Sequence, residues 1–77
     1  MYTNISAEDL AAIAEISGRL GSGWSFKSTY YLHGIQCNWK KDGVSVMWRN
    51  KDGDPRSVER YEKAKSMHPE MLYIEEL

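Results

Sequence analysis

The sequence predicts an α+β fold: one compact domain over residues 1–77 in the order α-β-β-β-α-β, with a mainly antiparallel sheet of three or four strands and two helices on one face. Three observations predict it. Residues alternate apolar and polar with period two, first across Ile35, Cys37 and Trp39 and then across Val44, Val46 and Trp48, the pattern of a β-hairpin with one buried face. Two other segments open on helix-capping residues and continue with helical spacing. Six of the nine aromatic residues lie between Trp24 and Trp48, which supplies the large side chains that the small core of a 77-residue chain needs.

Ser6 to Leu20 reads as the first helix. Ser6 is its N-cap, and Asp9 three residues on makes a capping box with Asp in place of Glu. Ile5 and Leu10 are spaced as a hydrophobic staple. Glu8 and Asp9 suit the positive end of the helix dipole and Arg19 the negative end. The expected apolar stripe is Leu10, Ile13, Ala14, Ser17 and Leu20, with Ile16 on its margin. Gly21-Ser22-Gly23 stops the helix.

A meander follows. Trp24 to Ser28 reads as a short strand, Tyr31 to Trp39 as the second, and Val44 to Arg49 as the third. A two-residue Asp42-Gly43 loop pairs Trp39 with Val46 and Cys37 with Trp48. A four-residue loop pairs Trp39 with Val44 and Ile35 with Trp48. Both keep the apolar set on one face, whereas a three-residue loop sets Trp39 opposite Ser45 and breaks it. A second Lys-Asp-Gly, at Lys51-Asp52-Gly53, ends the third strand. Asp54 then caps a helix with Pro55 in its first position, running to about Met67 because His68 precedes Pro69. Val58, Tyr61 and Ala64 give this helix a narrow apolar face; its outer face mixes Glu59, Arg60, Glu62, Lys63 and Lys65. Met71 to Glu75 reads as a last short strand on an edge of the sheet.

Charge is unevenly spread. The whole chain has a net charge of −1, yet residues 24–51 carry five bases and one acid between acidic ends. A single cysteine excludes an internal disulfide and suits a reducing cytosol; we expect a cytoplasmic protein with no leader and no membrane association.

No catalytic, cofactor or metal constellation stands out. His33 and Cys37 are both expected to point inward from one strand, but four strand residues span roughly 13 Å, too far for a nucleophile pair. Only His68 joins them as a further potential ligand of the soft kind, too few for a zinc site. Glu75 and Glu76 face opposite sides of a strand and, with Glu70, read as a solvated tail. Gly18, Gly21 and Gly23 follow a helix instead of opening one, so they form no phosphate loop.

The face opposite the apolar one is the remaining candidate. Gln36, Asn38, Lys40, Met47 and Arg49 share it and are expected to form one exposed patch that touches a partner. Gln, Asn and Arg read base edges, and Lys and Arg hold phosphates, so a nucleic-acid module is one reading. Met and Arg are also frequent in protein interfaces. The leading expectation is a non-enzymatic adaptor or inhibitor, of the kind phages and mobile elements encode, that occludes a protein partner. The alternative is a nucleic-acid-binding module on the basic aromatic sheet.

Overall fold

The computed structural model describes residues 5–74. Its elements are α1 (Ala7–Leu20), β1 (Ser25–Tyr31), β2 (Gly34–Lys41), β3 (Val44–Arg49), α2 (Pro55–Met67) and β4 (Leu72–Ile74). They form one four-stranded sheet in the order β1-β2-β3-β4. The first three strands are antiparallel, and β4 runs parallel to β3. Fold class and element order are those the sequence predicts. Glu75, the expected end of the last strand, and Glu76 lie outside the described residues.

Both helix starts follow from their caps. Ser6 Oγ accepts from the Asp9 amide at 3.1 Å, and Asp54 Oδ2 accepts from the Arg56 amide at 2.9 Å. The tip of the β2–β3 hairpin is Asp42-Gly43. Both residues have positive φ, 49° and 81°, the signature of the tight turn whose twist matches paired strands. This two-residue loop selects the register Trp39–Val46 and Cys37–Trp48.

The first hairpin turns later than the sequence suggests. β1 extends to Tyr31, which pairs with Gly34, and Leu32-His33 form the connection. His33 is therefore exposed in a turn and does not point inward from a strand. Gly34 explains the position of the turn. A Cβ there would lie 2.7 Å from the Asp54 amide nitrogen and 2.9 Å from Gly53 Cα, so only glycine lets the β3–α2 connection cross so closely.

One face of the sheet holds the main core. Ile35, Cys37, Trp39, Val46 and Trp48 pack with Ile16 of α1, and Ile5, Ala12, Ile13, Leu20, Trp24 and Ile74 surround them. The helix is rotated relative to the expected stripe: Ile16 is its centre, while Ala14 is exposed and Leu10 is 55 % exposed. Two polar contacts set this rotation. Trp39 Nε1 donates to Ser17 Oγ at 3.0 Å, and Asn50 Nδ2 donates to Asp9 Oδ2 at 3.4 Å. Asp9, Ala12, Ile16 and Ser17 share one side of a helix, so both bonds turn that side to the sheet.

The second helix departs from expectation. It does not join α1 but covers the opposite face, where Tyr61 and Ser57 are fully buried and the Arg49 guanidinium lies 5.1 Å from the Tyr61 ring. Parallel pairing of β3 and β4 requires a crossover, and a helical crossover lies on a face of the sheet. With α1 occupying the apolar face, α2 crosses the other.

Two variants test this packing. Trp39→Ala removes a side chain with 2 % exposure and should cost on the order of 3–5 kcal/mol in urea unfolding. Gly34→Ala should cost about 1–3 kcal/mol, because backbone on the far side must shift. Unchanged unfolding midpoints would contradict the core and the crossing, respectively.

Candidate functional site

The residues of the expected patch do share a face, as their alternation requires. Gln36 pairs with Arg49, Asn38 with Met47 and Lys40 with Ser45. The patch is not an exposed surface, however, because α2 lies across it. Gln36 and Met47 are 7 % exposed and Arg49 8 %, Asn38 is half-buried, and only Lys40 is exposed.

Arg49 belongs to the structure beneath α2. Its Nη1 donates to Asn50 O at 2.9 Å and Lys51 O at 3.2 Å, and its Nη2 lies 4.0 Å from Glu62 Oε1. The guanidinium thus holds the carbonyls where the chain leaves β3 and stacks on Tyr61. Tyr61 meets Tyr73 edge-on, with ring centroids 5.6 Å apart. Tyr73 Oη in turn lies 2.7 Å from Ala64 O and 2.9 Å from His68 O, at the carbonyl end of α2. Loss of solvation, then the nearby Glu70 charge, raises the Tyr73 pKa, which keeps the phenol a proton donor to these carbonyls.

Beyond Arg49 the helix and sheet diverge and leave a groove of about 600 Å³. Gln36, Asn38 and Met47 form its floor, Lys40 stands at its open end, and Arg60, Ala64 and His68 form its helical wall, with Met71 closing the far side. Four of the five expected residues therefore line one site; Arg49 does not. Arg60 and Ala64 lie one turn apart on α2, and His68 is its C-cap. Helical spacing sets Ala64 on the apolar face and Arg60 on the outer one, and nothing local in the sequence shows that α2 lies over this face of the sheet.

The floor is polar and incompletely paired. Gln36 Oε1 and Asn38 Oδ1 are buried and have no hydrogen-bond partner among the described residues. The rim is cationic: Lys40 and Arg60 are exposed, and Lys27 of β1, which pairs with Asn38, extends the positive strip. Exposed Glu70 is the one acid of the lining and lies 3.4 Å from His68 Nδ1.

A second groove, of about 660 Å³, lies on the other side of the molecule between α1 and the end of β3. Glu8, Asp9, Glu15 and Asp52 make it acidic, and the buried Trp48 Nε1 in its lining has no partner among the described residues. The two grooves thus differ in the sign of their charge.

Cys37 lies in the core between these sites, fully buried. Burial, and secondarily the Asp9 charge, push its thiol pKa up to about 12. The thiol is a packed core group and stays neutral at physiological pH. Among the described residues no helix is long and apolar enough to cross a membrane. Compared with known protein families, with curated proteins and with solved structures, the chain matches none.

The two groups predict distinct behaviour. The Cys37 proton is held more tightly in the folded state, so stability is intact below the ordinary thiol value of 9.0 and falls as pH rises toward about 12. Its slope should be about 1.4 kcal/mol per pH unit, and urea titrations should show that slope reduced in Cys37→Ala. Arg49→Glu should destabilise the fold by about 3–5 kcal/mol, since it places an unpaired charge against two carbonyls. Lys40→Glu should change stability by less than about 1 kcal/mol.

Proposed function

We propose that this chain is a non-enzymatic binding protein, an adaptor or inhibitor that docks on a protein partner, and that the groove between the sheet and α2 receives an extended acidic segment of that partner. The observation that carries this reading is the cationic rim, Lys27, Lys40 and Arg60, beside a groove floored by Gln36, Asn38 and Met47. An acidic peptide offers carboxylates for the rim and an extended backbone slender enough to lie along the groove. Met47 and Met71 add adaptable apolar contact at the same place.

A phosphate backbone suits the same cationic rim. Reading bases from the sheet would also need an open face, and α2 covers it while Arg49 is committed to holding the β3–α2 connection. These features favour a peptide over nucleic acid.

The test is a selection from a random-peptide library on the immobilised protein in the presence of nuclease. Enriched peptides should be acidic and should shift the backbone amide signals of Asn38, Lys40, Met47 and Arg60. The Lys40→Glu and Arg60→Glu double variant should fold normally and bind them on the order of tenfold to a hundredfold more weakly, the size expected for two or three charge-assisted contacts. Enrichment of basic peptides, or signal changes confined to the acidic groove beside α1, would overturn the proposal. So would tighter binding to a DNA or RNA oligonucleotide, with steep salt dependence, than to any selected peptide.

A further inference from the structure

The β1 edge of the sheet is long, has no neighbouring strand among the described residues, and is self-complementary. We propose that it pairs with β1 of a second copy of this chain, in antiparallel register about Ser28, to form a two-fold dimer with a continuous sheet.

Among the described residues β1 is the outermost strand on one side, with seven residues, and β4 the other edge, with three. An edge strand turns the N–H and C=O groups of alternate residues outward, where they template another strand. The side chains lie in two sets. Phe26, Ser28 and Tyr30 pair with Trp39, Cys37 and Ile35 and so lie on the α1 face. Lys27, Thr29 and Tyr31 pair with Asn38, Gln36 and Gly34 and lie on the α2 face.

Phe26 and Tyr30 remain 50 % and 47 % exposed, although Phe26 packs its ring 5.2 Å from that of Trp39. Half of an aromatic side chain is roughly 100 Å² of surface. Two such residues on the α1 face of one edge strand, four residues apart on either side of Ser28, are what a partner strand covers.

The order Ser-Phe-Lys-Ser-Thr-Tyr-Tyr determines which strand fits. A two-fold axis through Ser28, normal to the sheet, uses all seven residues. It sets Phe26 opposite the second copy's Tyr30 on both sides of a Ser28–Ser28 pair. It sets Lys27 opposite Thr29, so no like charges meet. An axis one residue earlier instead puts Lys27 opposite Lys27, which is repulsive. Lys27 therefore excludes the earlier axis, and an axis one residue later pairs only five residues, so the full strand selects Ser28. Because the axis is normal to the sheet, both α1 helices lie on one face and both α2 helices on the other, with the aromatic pairs between the α1 helices. One strand edge and four half-exposed rings bury less than a standard interface, so the dimer is a weak, concentration-dependent one.

Sedimentation equilibrium on the full chain over a wide concentration range tests this, paired with charge exchange at the register. Wild type should show a reversible monomer–dimer equilibrium. Thr29→Lys creates two like-charge pairs across the axis and should weaken dimerisation on the order of threefold to tenfold; Thr29→Glu should strengthen it by a similar factor. Lys27→Glu combined with Thr29→Lys should reverse the loss and strengthen association to about the level of Thr29→Glu, which a merely structural effect at position 29 would not. Circular dichroism melts confirm that each variant folds. A strictly monomeric wild type, with Lys27→Ala increasing association, would show that Lys27 guards the edge and would overturn the proposal. Dimerisation insensitive to both Thr29 substitutions would place the interface elsewhere and overturn it too.

Discussion

Parallel pairing of β4 with β3 is the constraint on which the arrangement turns. A chain that leaves β3 at Arg49 must travel back along the sheet before it can run beside β3 in the same direction. Residues 55–67 make that return as a helix, and a helix that returns over a sheet occupies one of its faces. α1 already covers the apolar face, so the crossover covers the amphipathic one. The sheet is thus buried on both sides over part of its area, by different chemistry. One side is a hydrocarbon and indole core; the other is a stack of Tyr73, Tyr61 and Arg49 with Gln36 and Met47 beneath.

The connection before α2 binds these two sides together. Asn50 is the joint: its Oδ1 accepts from the Ile35 amide at 3.3 Å and its Nδ2 reaches Asp9 of α1. The same short segment crosses Gly34 at the start of β2, and a Cβ on Gly53 would collide with Asn50 Oδ1. Arg49 holds the carbonyls of Asn50 and Lys51 at that joint. A charged residue that reads as a surface contact is therefore internal scaffolding, and Gly34, expected within a strand, and Gly53, expected in a turn, are points of close approach.

The same geometry creates the groove. α2 covers the sheet near Arg49 and leaves it near Lys40, so the side chains of one alternating set have different surroundings along its length. Gln36 lies deep, Asn38 lies at the margin and Lys40 lies at the surface. The cationic rim then combines residues from β1, β2 and α2 that are up to 33 positions apart in sequence, Lys27 and Arg60 being the most distant. No local motif brings them together.

What the sequence determines by itself is what depends on near neighbours. Ser6 and Asp54 cap their helices through amides two or three residues away, and Asp42-Gly43 supplies the positive φ of its turn. Strict alternation assigns Ile35, Cys37, Trp39, Val46 and Trp48 to one buried face and Gln36, Asn38, Lys40, Met47 and Arg49 to the other, because successive strand residues point to opposite sides. Alternation is silent on what lies above each face. Only the tertiary structure decides that α2 crosses the second face, that Arg49 is buried while Lys40 is free to meet solvent, and that α1 turns on Ile16 instead of Leu10. Each of these depends on a contact across the fold, Arg49 with Tyr61, Trp39 with Ser17 and Asn50 with Asp9, and such contacts arise from how the layers stack, a property that spacing along one element does not carry.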